Sequence, residues 1–214
     1  MLVPVNICIC SDKDSWVCNF LISEKFVSSI GFQFTLIHSH EDVKDEFLCF
    51  LVGYSQIIPR DFIKQNRFYV IHESDLPAGR GWSPVSWQVL DRKNEIVVSL
   101  MHVDEKVDSG NIVLQEKMVL QGHELLDEIR LVQITVTMRL ISQFLKKLNS
   151  GNLKERPQVG VPSYYPKRTR ASSEIDPSKS IADSFDLLRI VDNERYPAFF
   201  TFRGHRYILR IEKG

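Results

Sequence analysis

Val70-Ile71-His72-Glu73-Ser74-Asp75-Leu76-Pro77-Ala78-Gly79-Arg80-Gly81 is the stretch on which the reading of this chain turns. It begins inside a short apolar, β-prone run, residues 68–71, and passes at once into polar residues, a Leu-Pro pair and two glycines. That pattern reads as a strand whose carboxyl end delivers a histidine into a loop. Open α/β sheets place their ligands at that end.

Outward from this strand, helices and strands alternate. Toward the amino terminus, residues 5–10 form a first β-prone run, and Ser11-Asp12-Lys13-Asp14 supplies turn and N-cap chemistry for a helix with Trp16, Phe20 and Leu21 on its apolar stripe. Gly31 ends that helix; residues 32–37 and 47–52 read as the second and third strands, with a short helix over 59–65. Toward the carboxyl terminus come a helix at 85–90 and two alternating runs at 96–103 and 112–120, joined by the polar loop 104–110. A long amphipathic helix follows over about 124–148. This order predicts an α/β fold with a mostly parallel central sheet.

Ser150-Gly151-Asn152 marks a change of composition, so residues 1–150 are expected to form the main domain and residues 151–214 a small appendage. Within the appendage, 157–166 is turn-rich yet carries Val159, Val161, Tyr164 and Tyr165, which suits an ordered wrapping segment more than a free linker. Ser178-Lys179-Ser180 caps a helix running through Leu187, Leu188 and Val191. Residues 198–202 then pair with 206–211 across Arg203-Gly204-His205. No internal repeat or low-complexity tract interrupts the chain.

Composition bounds the function classes. The 214 residues carry 27 Lys plus Arg against 27 Asp plus Glu, so no bulk field draws in nucleic acid or anionic lipid. Cys8, Cys10, Cys18 and Cys49 lie in or beside apolar runs and read as reduced core thiols, without the second ligand pair a zinc site needs. His38-Ser39-His40 reads as surface for want of a carboxylate framework, and no metal is expected. There is no Gly-x-Gly-x-x-Gly after the first strand, which argues against dinucleotide binding. The apolar start lacks a basic leader and no run spans a bilayer, so the chain is expected to be cytoplasmic and to have no membrane partner.

His72, Ser74, Leu76-Pro77 and Arg80-Gly81, followed downstream by Val107-Asp108-Ser109-Gly110, together resemble the signature of the 10-formyltetrahydrofolate-dependent formyltransferases. Singly, a His-x-Ser is common and an Asp-Ser-Gly is an ordinary turn; the combination in this strand order carries the likeness. The resemblance implies a Rossmann-like formyltransferase fold, 10-formyltetrahydrofolate as formyl donor, and His72 and Asp108 as the catalytic pair. His72 would move protons or stabilise the oxyanion, and Asp108 would fix its tautomer and orientation. The family's pattern begins Asn-x-His, whereas Val70 stands at the Asn position. A lost oxyanion donor costs ~2.7–4 kcal/mol if nothing replaces it; protonated His72, Ser74 or a backbone N–H are the candidate replacements.

By the same resemblance, Tyr54, Ser55, Gln56, Ile57 and Ile58, with Val103, Asp104 and Val107, would line the pterin pocket. The tail segments Tyr164-Tyr165-Pro166-Lys167-Arg168 and 191–199, and Gly81-Trp82-Ser83-Pro84, look like those of bacterial sugar N-formyltransferases of the pseudaminic-acid type. The acceptor implied is a nucleotide-linked amino sugar, a UDP-4-amino-4,6-dideoxy hexose, destined for a surface polysaccharide. Arg80, Trp82, Ser83, Tyr164, Tyr165, Arg168, Asn193 and Tyr196 are the candidate acceptor contacts, since rings stack on a nucleobase and cationic forks hold a pyrophosphate. On the alternative reading Tyr164 and Tyr165 cover the seam between tail and domain, and Tyr196-Pro197 terminates a helix. Two rivals remain: a methionyl-tRNA formyltransferase, disfavoured by the balanced charge and short tail, and a non-catalytic folate or nucleotide-sugar binder, favoured by Val70. The apolar hairpin at 198–211 could pair two subunits as a homodimer.

Overall fold

A computed structural model describes residues 6–29, 31–44 and 47–214. Its centre is a six-stranded sheet of β1 (Asn6–Cys10), β2 (Thr35–Ile37), β3 (Phe47–Leu51), β4 (Arg67–His72), β6 (Glu95–His102) and β7 (Ile112–Val119), in the order β2-β1-β3-β4-β6-β7. The pairs β1/β2, β1/β3 and β3/β4 are parallel; β6 and β7 add antiparallel strands at one edge. The expected mostly parallel α/β sheet is the one observed.

Strand periodicity divides the side chains of this sheet between two faces. Ile7, Ile9, Leu48, Phe50, Tyr69 and Ile71 enter the larger core, which α1 (Trp16–Leu21), α4 (Pro84–Leu90) and the long α5 (Leu126–Asn149) cover with Val17, Leu21, Val85, Val89, Ile134, Ile141 and Phe144. Phe50 and Tyr69 meet Phe144 at ring-centroid distances of 5.3 and 4.6 Å, edge to face. Cys8, Cys10, Cys49, Leu51 and Phe68 enter the other face under α3 (Arg60–Gln65), whose Phe62 and Ile63 pack there. All four cysteines are buried free thiols; burial, with Cys8 and nearby acidic groups, pushes the Cys10 thiol up to about 12.

Several local expectations shift. Val5 lies outside the described residues. The first helix divides into α1 and a four-residue α2 (Glu24–Val27), and its cap is Ser15, whose Oγ accepts from Val17 N at 3.3 Å, not the Ser11–Asp14 run. The second strand has only three residues, because Phe32 and Phe34 pack against the core outside the ladder. Glu124 sits before α5, not in it. Its carboxylate accepts from Gln121 N and Gly122 N, and Glu128 reaches back to Leu125 N at 2.9 Å to cap the helix.

After α5 the chain returns across the sheet end. β8 (Tyr164–Tyr165) pairs in parallel with the two-residue β5 (Arg80–Gly81), so the wrapping segment becomes a strand partner of the central motif. Gly81 is required there: a Cβ on it would lie 2.6 Å from the Tyr165 carbonyl. The helix α6 (Ile181–Arg189) is capped by Ser180, and β9 (Ala198–Phe202) and β10 (His205–Leu209) form a hairpin. Its turn is the two residues Arg203 and Gly204, both at positive φ, and His205 already pairs with Phe202. Among the described residues no helix is long and apolar enough to cross a membrane.

Candidate active site

The register of β4 sets up the site. Val70 lies beside Leu51 of β3 and Met101 of β6, and two residues on, His72 leaves the same face at the strand's carboxyl end. His72 is 6 % exposed. Its Nε2 lies 2.8 Å from the Gly79 carbonyl oxygen, and because a carbonyl only accepts, the ring proton sits on Nε2. Asp108 Oδ2 lies 3.7 Å from the opposite ring nitrogen, Nδ1, and accepts from Gly81 N at 2.8 Å. The expectation that Asp108 fixes the tautomer is therefore corrected: the Gly79 carbonyl does so. Asp108 flanks the free Nδ1 lone pair at 3.7 Å.

The loop carrying Asp108 is held by contacts that its sequence does not announce. Gln158 of the wrapping segment donates from Nε2 to the Asp108 and Gly110 carbonyls, both at 2.9 Å, and accepts from Arg80 at 2.6 Å. Gly110 fits where no side chain could, since a Cβ there would stand 1.9 Å from the His102 carbonyl oxygen. Gly110→Ala is accordingly expected to destabilise the fold by ~1–3 kcal/mol through overpacking. Faster hydrogen exchange at the Gly81 amide would report the loss of its Asp108 acceptor; unchanged exchange and melting temperature would show that the loop relaxes freely.

His72 and Asp108 line a cavity of about 670 Å³. All eight residues expected around the pterin, Tyr54, Ser55, Gln56, Ile57, Ile58, Val103, Asp104 and Val107, contribute to its wall, as do Val70 and Met101. Further wall comes from Trp16, Glu73, Arg130, Gln133, Thr137, Lys167, Asp192 and Arg195, none of which was among the expected contacts, although Glu73, Lys167, Asp192 and Arg195 lie inside the quoted motif stretches. Trp82, Ser83, Arg168 and Tyr196 of the expected acceptor contacts are also there. Arg168, however, spends its guanidinium on the backbone carbonyls of Ser172 and Ile190, and burial holds it below the usual arginine range.

Four expected acceptor contacts have other partners. Arg80 turns to Gln158 and the Tyr164 hydroxyl. Tyr164 is solvent-exposed, and Tyr165 stacks on Trp87 at 6.4 Å and lies against Gly79, the seam-covering role. Asn193 clasps the carboxyl-terminal segment, donating to Ile211 O and accepting from Ile211 N. Ser74 does not line the cavity; its buried Oγ is unpaired among the described residues, so it offers no replacement for the donor absent at Val70. His40 is buried, contrary to the surface reading of 38–40, because its Nδ1 meets the Tyr54 hydroxyl at 2.7 Å and its ring packs on Phe62. Among the described residues no group of three or more His, Cys, Asp or Glu could hold a metal ion.

Glu73 is an ionisable group at this site that the sequence did not single out. It follows His72 directly, past the strand end on the side of α5, where Gln133 Nε2 donates to its Oε1 at 2.7 Å and Gln88 Nε2 to its main-chain oxygen. Its surface is only partly covered, and it lines the cavity. Burial pushes the carboxyl up, with Asp108 adding to the shift and His72 and the Gln133 hydrogen bond opposing it.

Comparison with known proteins bears on this arrangement. The sequence pattern of the formyl transferase family matches residues 13–172. A methionyl-tRNA formyltransferase from Pelotomaculum thermopropionicum is 29% identical over 141 residues, covering 65% of this chain and 45% of that protein. The chain thus spans about half the length of the curated relatives it matches. Among solved structures, methionyl-tRNA formyltransferase from Clostridium thermocellum superposes with a TM-score of 0.72 at 23% identity, over 94% of this chain and 90% of the other. A sugar N-formyltransferase from Shewanella sp. superposes at 0.68 with 19% identity, over 98% of each. At these identities the structural likeness is one of fold.

Proposed function

The chain belongs to the formyl transferase family, and from that premise we propose that it transfers the formyl group of 10-formyltetrahydrofolate to the primary amine of a nucleotide-linked amino sugar, a UDP-4-amino-4,6-dideoxy hexose. The observation that carries the reading is the buried His72 held by the Gly79 carbonyl, with its free Nδ1 beside Asp108, on a cavity of about 670 Å³. Formyl transfer requires a neutral amine to attack the formyl carbon, an oxyanion to be stabilised, and a proton to pass from the attacking nitrogen to the departing N10 of the folate. His72 Nδ1 accepts that proton; the resulting imidazolium lies between the Gly79 carbonyl and Asp108, then returns it to N10.

The folate would occupy the wall formed by 54–58 and 103–107, and the nucleotide sugar the wall with Trp82, Tyr196, Lys167 and Arg195, which offers stacking surfaces and cations. Lys167 already lies over the Trp82 ring at 4.5 Å, so cation and ring are paired before a ligand arrives. Val70 lines the cavity without a donor. Val70→Asn is therefore expected to preserve turnover or raise it, by up to the ~10²–10³-fold that one oxyanion donor contributes. A large loss would show that position 70 does not face the formyl group.

Mass spectrometry of the protein incubated with 10-formyltetrahydrofolate and a panel of UDP- and dTDP-linked 4-amino-4,6-dideoxy sugars tests the reading. A formyl mass gain on one sugar supports it. The curated relatives favour a second reading, methionyl-tRNA as acceptor, so charged initiator tRNA belongs in the same panel. Gain on the tRNA alone would overturn the sugar assignment, and no gain on any acceptor with folate still bound would leave a binding protein.

A further inference from the structure

An aliphatic amine reaches a neutral-pH enzyme as an ammonium ion. It has to lose one proton before it attacks and a second afterwards. His72 accounts for the second, through to N10 of the folate. The first needs another acceptor, close to where the amine enters and able to hold a cation.

Glu73 has that placement. It is adjacent in sequence to His72, lines the same cavity, and keeps one carboxylate oxygen oriented by Gln133 of α5. Among the described residues no lysine or arginine forms an ion pair with it. Arg130, which lines the same cavity, is committed to Asp192 at 2.9 Å and lies over the Trp16 ring. Gln88 of α4 and Gln133 of α5, which hold it, are neutral. A partly buried carboxylate with no ion-pair partner among the described residues is costly to ionise, and a cationic ligand relieves that cost.

We propose that Glu73 is the residue that receives the acceptor's ammonium group and takes its first proton. The step is a balanced proton transfer: the ammonium N–H bond breaks, an O–H bond forms on the Glu73 carboxylate, and the electron pair stays on nitrogen as the neutral nucleophile. After the formyl carbon–N10 bond breaks and the amide is complete, Glu73 releases its proton to solvent. This inference rests on an amine as acceptor; it adds which residue selects for that amine.

Burial suits the group to the task, since a carboxyl raised from its ordinary range is a better proton acceptor when ionised. His72 lowers its pKa and Asp108 raises it, while Arg130 and Asp192 compensate each other. The raised value also fixes a sign for stability. Ionising Glu73 in the fold costs stability, a cost absent below the ordinary carboxyl value and fully present above the folded-state value.

Glu73→Gln tests the proposal in two ways. With the amino sugar that the wild type turns over, kcat/KM at pH 7 is expected to fall by roughly 10²-fold or more, with 10-formyltetrahydrofolate binding by calorimetry unchanged. The deficit should shrink as the pH rises, because more of the amine then arrives already neutral; a misfolded site would not recover. In thermal unfolding without ligand, the variant should be at least as stable as the wild type at neutral pH, with any advantage vanishing as the pH falls. Equal turnover of variant and wild type across the pH range would overturn the role of Glu73 while leaving the sugar reading standing. A pH-independent deficit, or a clear loss of thermal stability at neutral pH, would make Glu73 a structural residue and overturn it too. Failure of the wild type on every amine would overturn the acceptor reading and this inference with it.

Discussion

His72→Ala is expected to lower formyl transfer by ~10²–10⁴-fold, the range for removal of a positioned acid–base group, while 10-formyltetrahydrofolate still binds. The two effects separate because the residues that would meet the pterin, 54–58 and 103–107, are held by β3, β6 and their loops and do not depend on the imidazole. The ring itself donates to the Gly79 carbonyl and faces Asp108 with its other nitrogen. Removing it deletes the proton carrier and leaves Asp108 still bound to Gly81 N. Single-turnover kinetics alongside a folate-binding titration would read the two separately. Unchanged turnover would remove His72 from the mechanism, and loss of folate binding in step with turnover would make it a structural residue.

Arg189→Ala is expected to cost about 3–5 kcal/mol of stability, the range for breaking a buried ion pair from one side. Arg189 is 2 % exposed, although it ends a helix in the appendage. It donates from Nε to the Glu124 main-chain oxygen at 3.0 Å and from a terminal nitrogen to the Glu124 carboxylate at 3.1 Å, joining α6 to the turn that starts α5. Burial raises the Glu124 carboxyl, but the N–H groups of Gln121 and Gly122, with Arg189, outweigh it and hold the group below its usual range. Its contribution is therefore present above the ordinary carboxyl value and lost as the pH falls through the lower folded-state value. Urea unfolding of Arg189→Ala, Glu124→Gln and the double variant would check this. A double variant much milder than the sum of the singles is expected; strict additivity would show that the two groups do not act as a pair.

Much of the fold was legible because the signals are local. β4 is short, apolar and followed by breakers, and the turn at Arg203 and Gly204 lies between two β-prone runs. Misses arose where tertiary packing overrode local pattern. Residues 32–34 are as apolar as a strand but pack without a ladder partner, and Glu124 looked helical but serves the turn before the helix. The candidate site divides in the same way. His72 and Asp108 stood out by type and motif, and they do meet. Glu73 sat in plain view inside the same stretch, marked by nothing except its position next to the histidine. Gln133 and Gln158 had no signal at all, because an isolated glutamine in an amphipathic helix or a polar loop has no distinguishing pattern.

By itself the sequence determined the order along the chain of the six strands of the central sheet, its mostly parallel character, the strand that carries His72 and the glycines around it, since alternation, caps and breakers act over a few neighbouring residues. Only the tertiary structure decided that the Gly79 carbonyl and not Asp108 sets the histidine tautomer, that Tyr165 and Asn193 hold the appendage in place, and that Glu73 lines the cavity with no ion-pair partner among the described residues. Those outcomes depend on distances between residues remote in the chain and on how much water their packing excludes, and neither quantity is written in local pattern.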